Sequence, residues 1–229
     1  MKRALSEIGE RALIVMAKAA RVGQVKTRLA ASLPAEAVVE LYRCLIEDTL
    51  DLARSISTDT IAIVCPTSDV ADLASWLPAI EIVGQQGVGL AAGLASAFRI
   101  FIDRGYRRVV ALDGDSPQLP PETLDKAFQL LDDADLVVGP TTDGGYYLVG
   151  STTVRAELFE TQRMGTGTAL DSLIATARGL GLRVALTETG YDVDEAEDLA
   201  RLARELRLYP HRARRTAAWL AHRPELGGC

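Results

Sequence analysis

The chain has 229 residues, of which 48% are hydrophobic and 24% are charged, and this composition excludes a mainly disordered protein. No apolar run approaches the roughly 18 residues that a membrane-spanning helix needs. The net charge of −6 argues against general binding to nucleic acids, because the phosphate backbone attracts basic surfaces.

Strand and helix patterns alternate along the chain. Apolar runs bounded by turn residues predict buried strands at Ala12–Ala17, Thr60–Cys65, Glu81–Val83, Arg108–Leu112, Asp135–Gly139 and Leu182–Leu186. Helix-period segments lie between them, near 35–54, 69–76, 90–104, 121–132 and 167–178. The alternation predicts an α/β fold, with a mostly parallel sheet and helices on both faces.

One segment departs from this alternation. Residues 139–150 contain a DGG turn that is followed at once by the strand-like run YYLVG. Such a turn favours an antiparallel excursion, so we expect a mixed sheet.

The last part of the chain differs in charge. Residues 1–206 contain no low-complexity linker and are predicted to form one domain. Residues 207–229 are predicted to form a helical tail with five arginines and a single acid, Glu225. This basic tail is either a solvated helix, an intramolecular cap on an acidic surface, or a contact for a phosphate-rich partner.

Histidines and cysteines exclude several chemistries. Both histidines, His211 and His222, lie in the tail, so histidine triads and histidine-bound zinc are not expected in the main domain. The base there is expected to be a carboxylate or the substrate itself. Cys44, Cys65 and Cys229 are scattered without metal-ligand spacing, which favours a reducing cytoplasm over a disulfide framework.

A cationic loop follows the first predicted strand. Lys18, Arg21, Lys26 and Arg28 lie in this loop around Gly23, which permits a close backbone approach. Charge-assisted hydrogen bonds from such residues would bind the phosphates of a nucleotide. The alternative is a solvated basic loop on an acidic protein.

Paired acids follow the strand that ends near Leu112. Asp113 and Asp115 lie at the carboxyl end of this strand, where open α/β sheets bind their ligands. Their carboxylates would hold a hard divalent cation. The alternative is a turn or a helix cap. A similar pair, Asp133 and Asp135, precedes a strand and is predicted to be a solvated turn.

A third acidic pair follows the last predicted strand. Asp194 is predicted either as a helix N-cap, with Glu197 completing a capping box, or as a metal ligand. Asp192 has no such capping role and is a candidate for the second metal ligand.

Two glycine-containing segments are further candidates. In the turn at residues 141–147, Asp143, Gly144, Gly145 and Tyr146 could contact a sugar or acid substrate, although an ordinary hairpin turn explains them as well. The run GVGLAAG at residues 87–93 departs from the dinucleotide fingerprint because its third glycine is one position late. It is predicted to open a helix, with a backbone contact from Gly89 to a nucleotide left open.

Four blocks in chain order resemble a known family: LIVMAKAARVGQVKTRLA, RRVVALDGDSPQLP, GPTTDGGYYLVG and YDVDEAEDLARL. They are similar to bacterial glycosyltransferase-like proteins, often labelled as arsenosugar-biosynthesis glycosyltransferases. That family is related to the nucleotide-diphospho-sugar transferases, which have the GT-A fold, and to phospholactate and molybdenum-cofactor guanylyltransferases. The resemblance implies a GT-A, Rossmann-like catalytic domain over residues 1–206.

The resemblance also implies roles for individual residues. The loop from Lys18 to Arg28 would bind the nucleotide, with Lys26 as a catalytic cation. Mg²⁺ or Mn²⁺ would lie at Asp115 and the acids near Asp192. If the reaction is glycosyl transfer, an acid such as Asp143 would orient or deprotonate the acceptor.

Three functions remain open on this basis. The favoured one is glycosyl transfer from a nucleotide-diphosphate sugar to a small-molecule acceptor. The alternative is nucleotidyl transfer from a nucleoside triphosphate to a small phosphorylated acid, with release of pyrophosphate. The third is a degenerate nucleotide-binding subunit, suggested by departures from the family pattern at Ala91, Ala92 and Gln118. The sequence does not decide the oligomeric state, although Trp219 and Leu220 of the tail could pack on a second subunit in a homodimer.

Overall fold

The computed structural model describes residues 9–160, 167–223 and 226. These residues contain one seven-stranded sheet. Every predicted strand is present, with its ends shifted by at most two residues. The strands are β1 Arg11–Met16, β2 Thr60–Cys65, β3 Glu81–Gly84, β4 Arg108–Asp113, β5 Leu136–Pro140, β6 Tyr146–Ser151 and β7 Val184–Leu186.

The strand order is β3-β2-β1-β4-β6-β5-β7. All neighbouring strands are parallel except β6, which pairs antiparallel with both β4 and β5. The predicted mixed sheet with one antiparallel excursion is therefore confirmed. The strand order reverses between β1 and β4, whose ends meet where Met16 pairs with Asp113. Ligands of open α/β sheets bind at such a reversal, beyond the carboxyl ends of the strands.

Helices cover both faces of the sheet, as predicted. Ala12 and Ile14 of β1 pack in a core with α3 and α6, whereas Leu13 and Val15 face α1 and α4 on the other side. This alternation follows from the period of two along a strand. The helices are α1 Ala35–Arg54, α2 Val70–Trp76, α3 Gly89–Asp103, α4 Pro121–Leu130, α5 Glu157–Glu160, α6 Ala169–Gly179, α7 Ala196–Leu208 and α8 Arg214–Ala221. Within the described ranges, no helix has the length and apolarity that a membrane span requires.

The basic tail packs on the body of the protein. The predicted boundary after residue 206 lies inside α7, and α8 packs against α1. Arg215 forms ion pairs with Glu47, Asp48 and Asp51 of α1, so this part of the tail contacts an acidic stretch of the same chain. Asp48 also accepts the backbone N–H groups of Arg215 and Thr216 at the start of α8.

Trp219 and Leu220 do not form an exposed surface for a homodimer contact. Trp219 and Leu220 are each only 8% exposed, because they pack against α1 and α7 of the same chain. The indole N–H of Trp219 donates to Glu40 at 3.2 Å. Neither side chain is therefore available for a second subunit.

Candidate functional site

A cavity of about 700 Å³ opens beyond the carboxyl ends of β1 and β4. This volume lies in the range of small-molecule sites. The loop after β1, the turn after β4, the segment after β2 and the glycine-containing loop before α3 form its walls. Six of the predicted site residues line it: Lys18, Lys26, Gly89, Asp113, Asp115 and Asp194.

Three carboxylates converge at this cavity from two distant parts of the sequence. Asp115 follows β4, while Asp192 and Asp194 follow β7, and one oxygen of each lies within 4.8 Å of the others. We call these three residues the acid cluster. The Lys26 ammonium donates hydrogen bonds to Asp115 and to Asp194, the latter at 2.6 Å. The Lys26 side chain is only 5% exposed, so one ammonium faces three crowded acids.

The close approach of these charges shifts the pKa values of Lys26 and Asp192. Burial opposes the charge of Lys26, but the carboxylates of Asp115 and Asp194 outweigh it and raise the lysine pKa. Burial, followed by the charges of Asp115 and Asp194, raises the pKa of Asp192 to about 6. The site is therefore deficient in positive charge. Carboxylate oxygens are also the ligands that Mg²⁺ and Mn²⁺ prefer, so the donor set fits a divalent cation.

Asp113 lies beside the acid cluster, although it is not one of its three carboxylates. Its Oδ2 accepts from the Ser116 hydroxyl at 2.8 Å, and among the described residues its buried Oδ1 has no hydrogen-bond partner. Burial and then the charge of Asp115 raise the pKa of Asp113 well above its ordinary value. Its carboxyl group thus has different surroundings from that of Asp115, which bonds to Lys26.

The predicted capping box at the start of α7 is wrong by one residue. The N-cap is Glu195, whose side chain accepts from the N3 backbone, and the side chain of Asp198 accepts from the Glu195 backbone. The sequence reasoning had assigned these two roles to Asp194 and Glu197. Because Glu195 caps the helix, the carboxylate of Asp194 is directed to Lys26 instead.

Gln118 holds the chain that carries two members of the acid cluster. Its Nε2 donates to the backbone carbonyl of Tyr191 at 2.9 Å, and the Ser116 hydroxyl donates to the same carbonyl at 3.1 Å. Gln118 is 3% exposed. The sequence reasoning treated Gln118 only as a departure from a family pattern. Its position directly after an apolar strand and a Ser-Pro turn was the available signal.

The cationic loop after β1 divides into two halves. Lys26 has a φ of 45°, and its ion pairs offset the strain of this left-handed backbone. Arg28 is 57% exposed and lies 3.6 Å from Asp194 and 3.7 Å from Glu195. Arg21 lies outside the cavity lining, where it forms ion pairs with Asp69 and Asp72. The structure therefore brings Lys26 and Arg28 to the acid cluster and places Arg21 elsewhere.

The turn between the two halves of this loop faces open space. Gly23 has a φ of +72°, and no described residue beyond its chain neighbours would place a heavy atom within 4 Å of an added Cβ. At the start of the loop, the Tyr42 hydroxyl accepts the backbone N–H of Lys18 at 3.0 Å and lines the cavity. Tyr42 was missed because its helix pattern predicts only burial.

The loop before α3 forms the opposite wall. Gly87 and Gly89 have φ values of +81° and +88°, which side chains other than glycine rarely adopt. Gln85, which sequence reasoning also missed, donates to the carbonyls of both glycines, at 3.2 and 3.0 Å. Val88 between them is 96% exposed. Gly89 begins α3, as predicted.

The predicted substrate turn lies beside the cavity and not in its lining. Asp143 accepts hydrogen bonds from the Thr141 hydroxyl and from the backbone N–H of Gly145. Burial opposes its ionisation, but these bonds outweigh burial and lower its pKa. A Cβ on Gly144 would lie 2.2 Å from a backbone carbonyl, so only glycine fits there. Tyr146 is half-buried and packs against the core.

The turn is joined to the chain that carries the acid cluster. Thr141 forms an isolated parallel bridge with Gly190, and the N–H of Gly190 donates to the carbonyl of Pro140 at 2.8 Å. Asp143 is therefore linked through backbone bonds to the segment that leads to Asp192.

Comparison with known proteins places the chain in a family. Residues 49–166 match the family described as "Uncharacterized protein conserved in bacteria (DUF2064)". The chain belongs to this family. The DUF2064 chain is also 32% identical over 190 residues to a 3-phospho-D-glycerate guanylyltransferase of Phenylobacterium zucineum (strain HLK1), a match that covers 78% of this chain and 84% of the relative.

Solved structures share the fold of this chain. A crystal structure from Desulfovibrio desulfuricans G20, named as a putative nucleotide-diphospho-sugar transferase, has a TM-score of 0.87 and 30% identity, covering 94% of this chain and 96% of that one. A Mycobacterium tuberculosis H37Rv protein in complex with manganese has a TM-score of 0.51 and 25% identity, covering 84% and 97%. The expected GT-A-like fold and the expectation of a transferase are confirmed.

Proposed function

We propose that this DUF2064 protein is a metal-dependent nucleotidyltransferase that joins a nucleoside triphosphate to a small phosphorylated acid. GTP and a phosphoglycerate-like acceptor are the first candidates, since the guanylyltransferase relative is named for them. The observation that carries the proposal is the acid cluster with Lys26 at a cavity of nucleotide size. The free thiols of Cys44 and Cys65 are consistent with a reducing cytoplasm.

The reaction transfers a nucleoside monophosphate. An oxygen of the acceptor phosphate forms a bond to the α-phosphorus of the triphosphate. The bond from that phosphorus to the oxygen bridging the β-phosphate breaks, and pyrophosphate leaves with that oxygen and its electron pair. Catalysis of such a transfer consists mainly of positioning and charge stabilisation.

The residues of the site would have different roles in this reaction. Asp115, Asp192 and Asp194 would hold Mg²⁺ or Mn²⁺, which when bound supplies positive charge to the phosphates. Lys26 orients two of these carboxylates and adds a cation beside the reacting phosphates. Lys18 and Arg28 supply further charge at the mouth, where Lys18 lines the cavity and Arg28 is exposed.

The opposite wall is suited to the nucleoside. Gly87 and Gly89 let the backbone approach a ribose or a base closely. Val88 and Leu90 present exposed apolar side chains at the same wall, on which a base could pack.

Glycosyl transfer, including the arsenosugar type that the sequence resembles, is the second candidate function. Asp143 favours it, because its lowered pKa keeps a carboxylate ionised beside the site, where it could accept the proton of an acceptor hydroxyl. The leaving group would then be a nucleoside diphosphate. Pyrophosphate carries more charge than the diphosphate of a nucleoside, so the cationic loop fits nucleotidyl transfer better.

The test compares the two leaving groups directly. The protein is incubated with Mg²⁺ or Mn²⁺, GTP and 3-phospho-D-glycerate, and pyrophosphate is measured with a coupled pyrophosphatase. Parallel reactions contain other triphosphates, or GDP-, UDP- and CDP-sugars with release of the diphosphate as the signal. Asp115→Asn tests the acid cluster, and Asp133→Asn is the matched control because it alters an exposed aspartate of a similar pair.

We expect pyrophosphate release that needs both the metal and the acceptor, is lost in Asp115→Asn by at least about 100-fold and is kept in Asp133→Asn. Diphosphate release from a sugar nucleotide alone would replace nucleotidyl with glycosyl transfer. Metal-dependent binding of GTP without turnover on any acceptor would favour the degenerate subunit.

A further inference from the structure

Asp69 lies outside the cavity lining, yet its carboxylate is bonded to the cationic loop. It ends a short 3-10 helix, Thr67–Asp69, directly after β2 and is 5% exposed. Its Oδ2 accepts the backbone N–H of Ala19 at 2.9 Å. Its Oδ1 accepts from Arg21 at 2.7 Å and from the Ser68 hydroxyl at 3.0 Å. One buried carboxylate thus bonds both the backbone and a side chain of the loop.

The guanidinium of Arg21 donates hydrogen bonds to Asp69 and to two residues near it in the chain. It makes four hydrogen bonds: to Asp72 at 2.9 and 2.6 Å, to Asp69 at 2.7 Å and to the Ser68 carbonyl at 3.3 Å. These bonds use four of the five guanidinium N–H groups, so a phosphate that bound Arg21 through two N–H groups would have to break at least one of them. Arg28, in the same loop, lies more than 3.5 Å from its acidic neighbours and is 57% exposed.

The bond to Ala19 fixes the part of the loop that enters the cavity. Lys18 precedes Ala19 and lines the cavity, and its own N–H is held by the Tyr42 hydroxyl. Consecutive N–H groups are therefore held by Tyr42 and Asp69. Further along the loop, Lys26 is held by the acid cluster. Removing the Asp69 carboxylate would release the start of the loop while its end stays in place.

We propose that Asp69 is a positioning residue of the nucleotide loop, and that Arg21 acts on Asp69 and not on the nucleotide. The inference rests on the proposed nucleotide site, but the anchoring of the loop is a property of the free protein. Asp69 touches no ligand; it acts by holding Ala19 and, through it, Lys18.

The experiment compares Asp69→Ala with Asp72→Ala, a matched control that also removes an acidic partner of Arg21 but no backbone contact. Asp69→Asn keeps an oxygen that can accept the Ala19 N–H. It therefore still tests the anchoring if the alanine variant fails to fold. Hydrogen exchange of the free proteins is followed for peptides covering residues 17–24 and 84–90. Wild type and variants are then assayed for the Michaelis constant of GTP, for kcat and for Mn²⁺ affinity.

We expect amide exchange in residues 17–24 to be about tenfold faster in Asp69→Ala, intermediate in Asp69→Asn and within about threefold of wild type in Asp72→Ala. Exchange in residues 84–90 stays unchanged, because Thr67 and Gln85 hold that wall through their own bonds. The Michaelis constant for GTP rises about tenfold in Asp69→Ala, while kcat and Mn²⁺ affinity change less than about threefold.

Equal acceleration in both peptides would show that Asp69 supports the whole fold, and unchanged exchange in residues 17–24 would show that it anchors nothing. Either result overturns the inference, as would an equal effect of Asp72→Ala. If wild type neither binds nor uses GTP, the proposed function fails, while the exchange comparison still decides whether Asp69 anchors the loop.

Discussion

Lys26 and Arg21 belong to one loop and have opposite surroundings. Lys26 is 5% exposed and donates to two carboxylates of the acid cluster, inside the cavity. Arg21 is 35% exposed at its side chain and is paired with Asp69 and Asp72 on the outer side. Cations in a phosphate-loop pattern therefore do not all face the ligand. What distinguishes them is which acids the fold brings to each side of the loop.

Substitution of the two cations should change the turnover rate by very different factors. Lys26→Met should lower pyrophosphate release by about 100-fold, because a cation beside the developing charge is lost. Arg21→Met should leave kcat within a few fold of wild type, since Arg21 does not face the cavity. Steady-state assays at saturating GTP measure both. A loss of kcat in Arg21→Met as large as in Lys26→Met would break the comparison.

Stability without metal should also distinguish Lys26. Lys26→Met leaves three carboxylates without their ammonium, and we expect the free energy of unfolding to fall by about 2 kcal/mol. This is less than for a fully buried pair, because Asp194 is 39% exposed. Mn²⁺ should raise the melting temperature more in Lys26→Met than in wild type, since the cation replaces the lost charge. An equal rise in melting temperature in the two proteins would contradict the shortage of positive charge at the acid cluster.

Gln118 tests whether the acid cluster depends on its backbone support. Gln118→Leu removes the donor to the Tyr191 carbonyl at similar volume, and Mn²⁺ affinity should fall about tenfold. Arg21→Met should leave this affinity unchanged. Titration of Mn²⁺ followed by electron paramagnetic resonance measures it. Wild-type affinity in Gln118→Leu would show that Asp192 and Asp194 are placed by other contacts.

A smaller effect is expected on the pH dependence of stability, through the carboxylate of Asp69 that Arg21 contacts. Burial opposes ionisation of Asp69, but the Ala19 N–H and Arg21 outweigh it and lower its pKa. A lowered pKa stabilises the fold above the ordinary value of about 3.9, and this contribution fades as pH falls through the lowered pKa. The difference in melting temperature between wild type and Asp69→Asn should therefore narrow below about pH 4. A constant difference down to about pH 3 would contradict this origin.

Most of the secondary structure could be predicted because it depends on local patterns. The strand Thr60–Cys65 and the helix Ala35–Arg54 have the predicted ends, since apolar periodicity and turn residues mark both. The exact first residue of the helix near Asp194 could not be predicted, because the neighbouring acids Asp194 and Glu195 can each cap a helix. Glu195 and Asp198 form the box that the geometry allows.

The candidate site was predicted in part for the same reason. Asp115 and Lys26 follow strands that end at the reversal of strand order, and this position indicated a ligand site. Arg21 could not be separated from Lys26, because Asp69 and Asp72 are distant in sequence. Trp219 and Leu220 were considered as a contact for a second subunit, because an apolar stripe does not indicate which surface it packs against.

Periodicity, turn chemistry and chain order were sufficient to predict the mixed α/β sheet, the cationic loop and the acidic pairs at strand ends. The side-chain contacts depend on the folded chain: Lys26 contacts Asp194, Gln118 contacts Tyr191, and Asp69 contacts Ala19. Each of these contacts joins residues at least 50 positions apart. Such pairs are selected by packing and strand order, which no local pattern encodes.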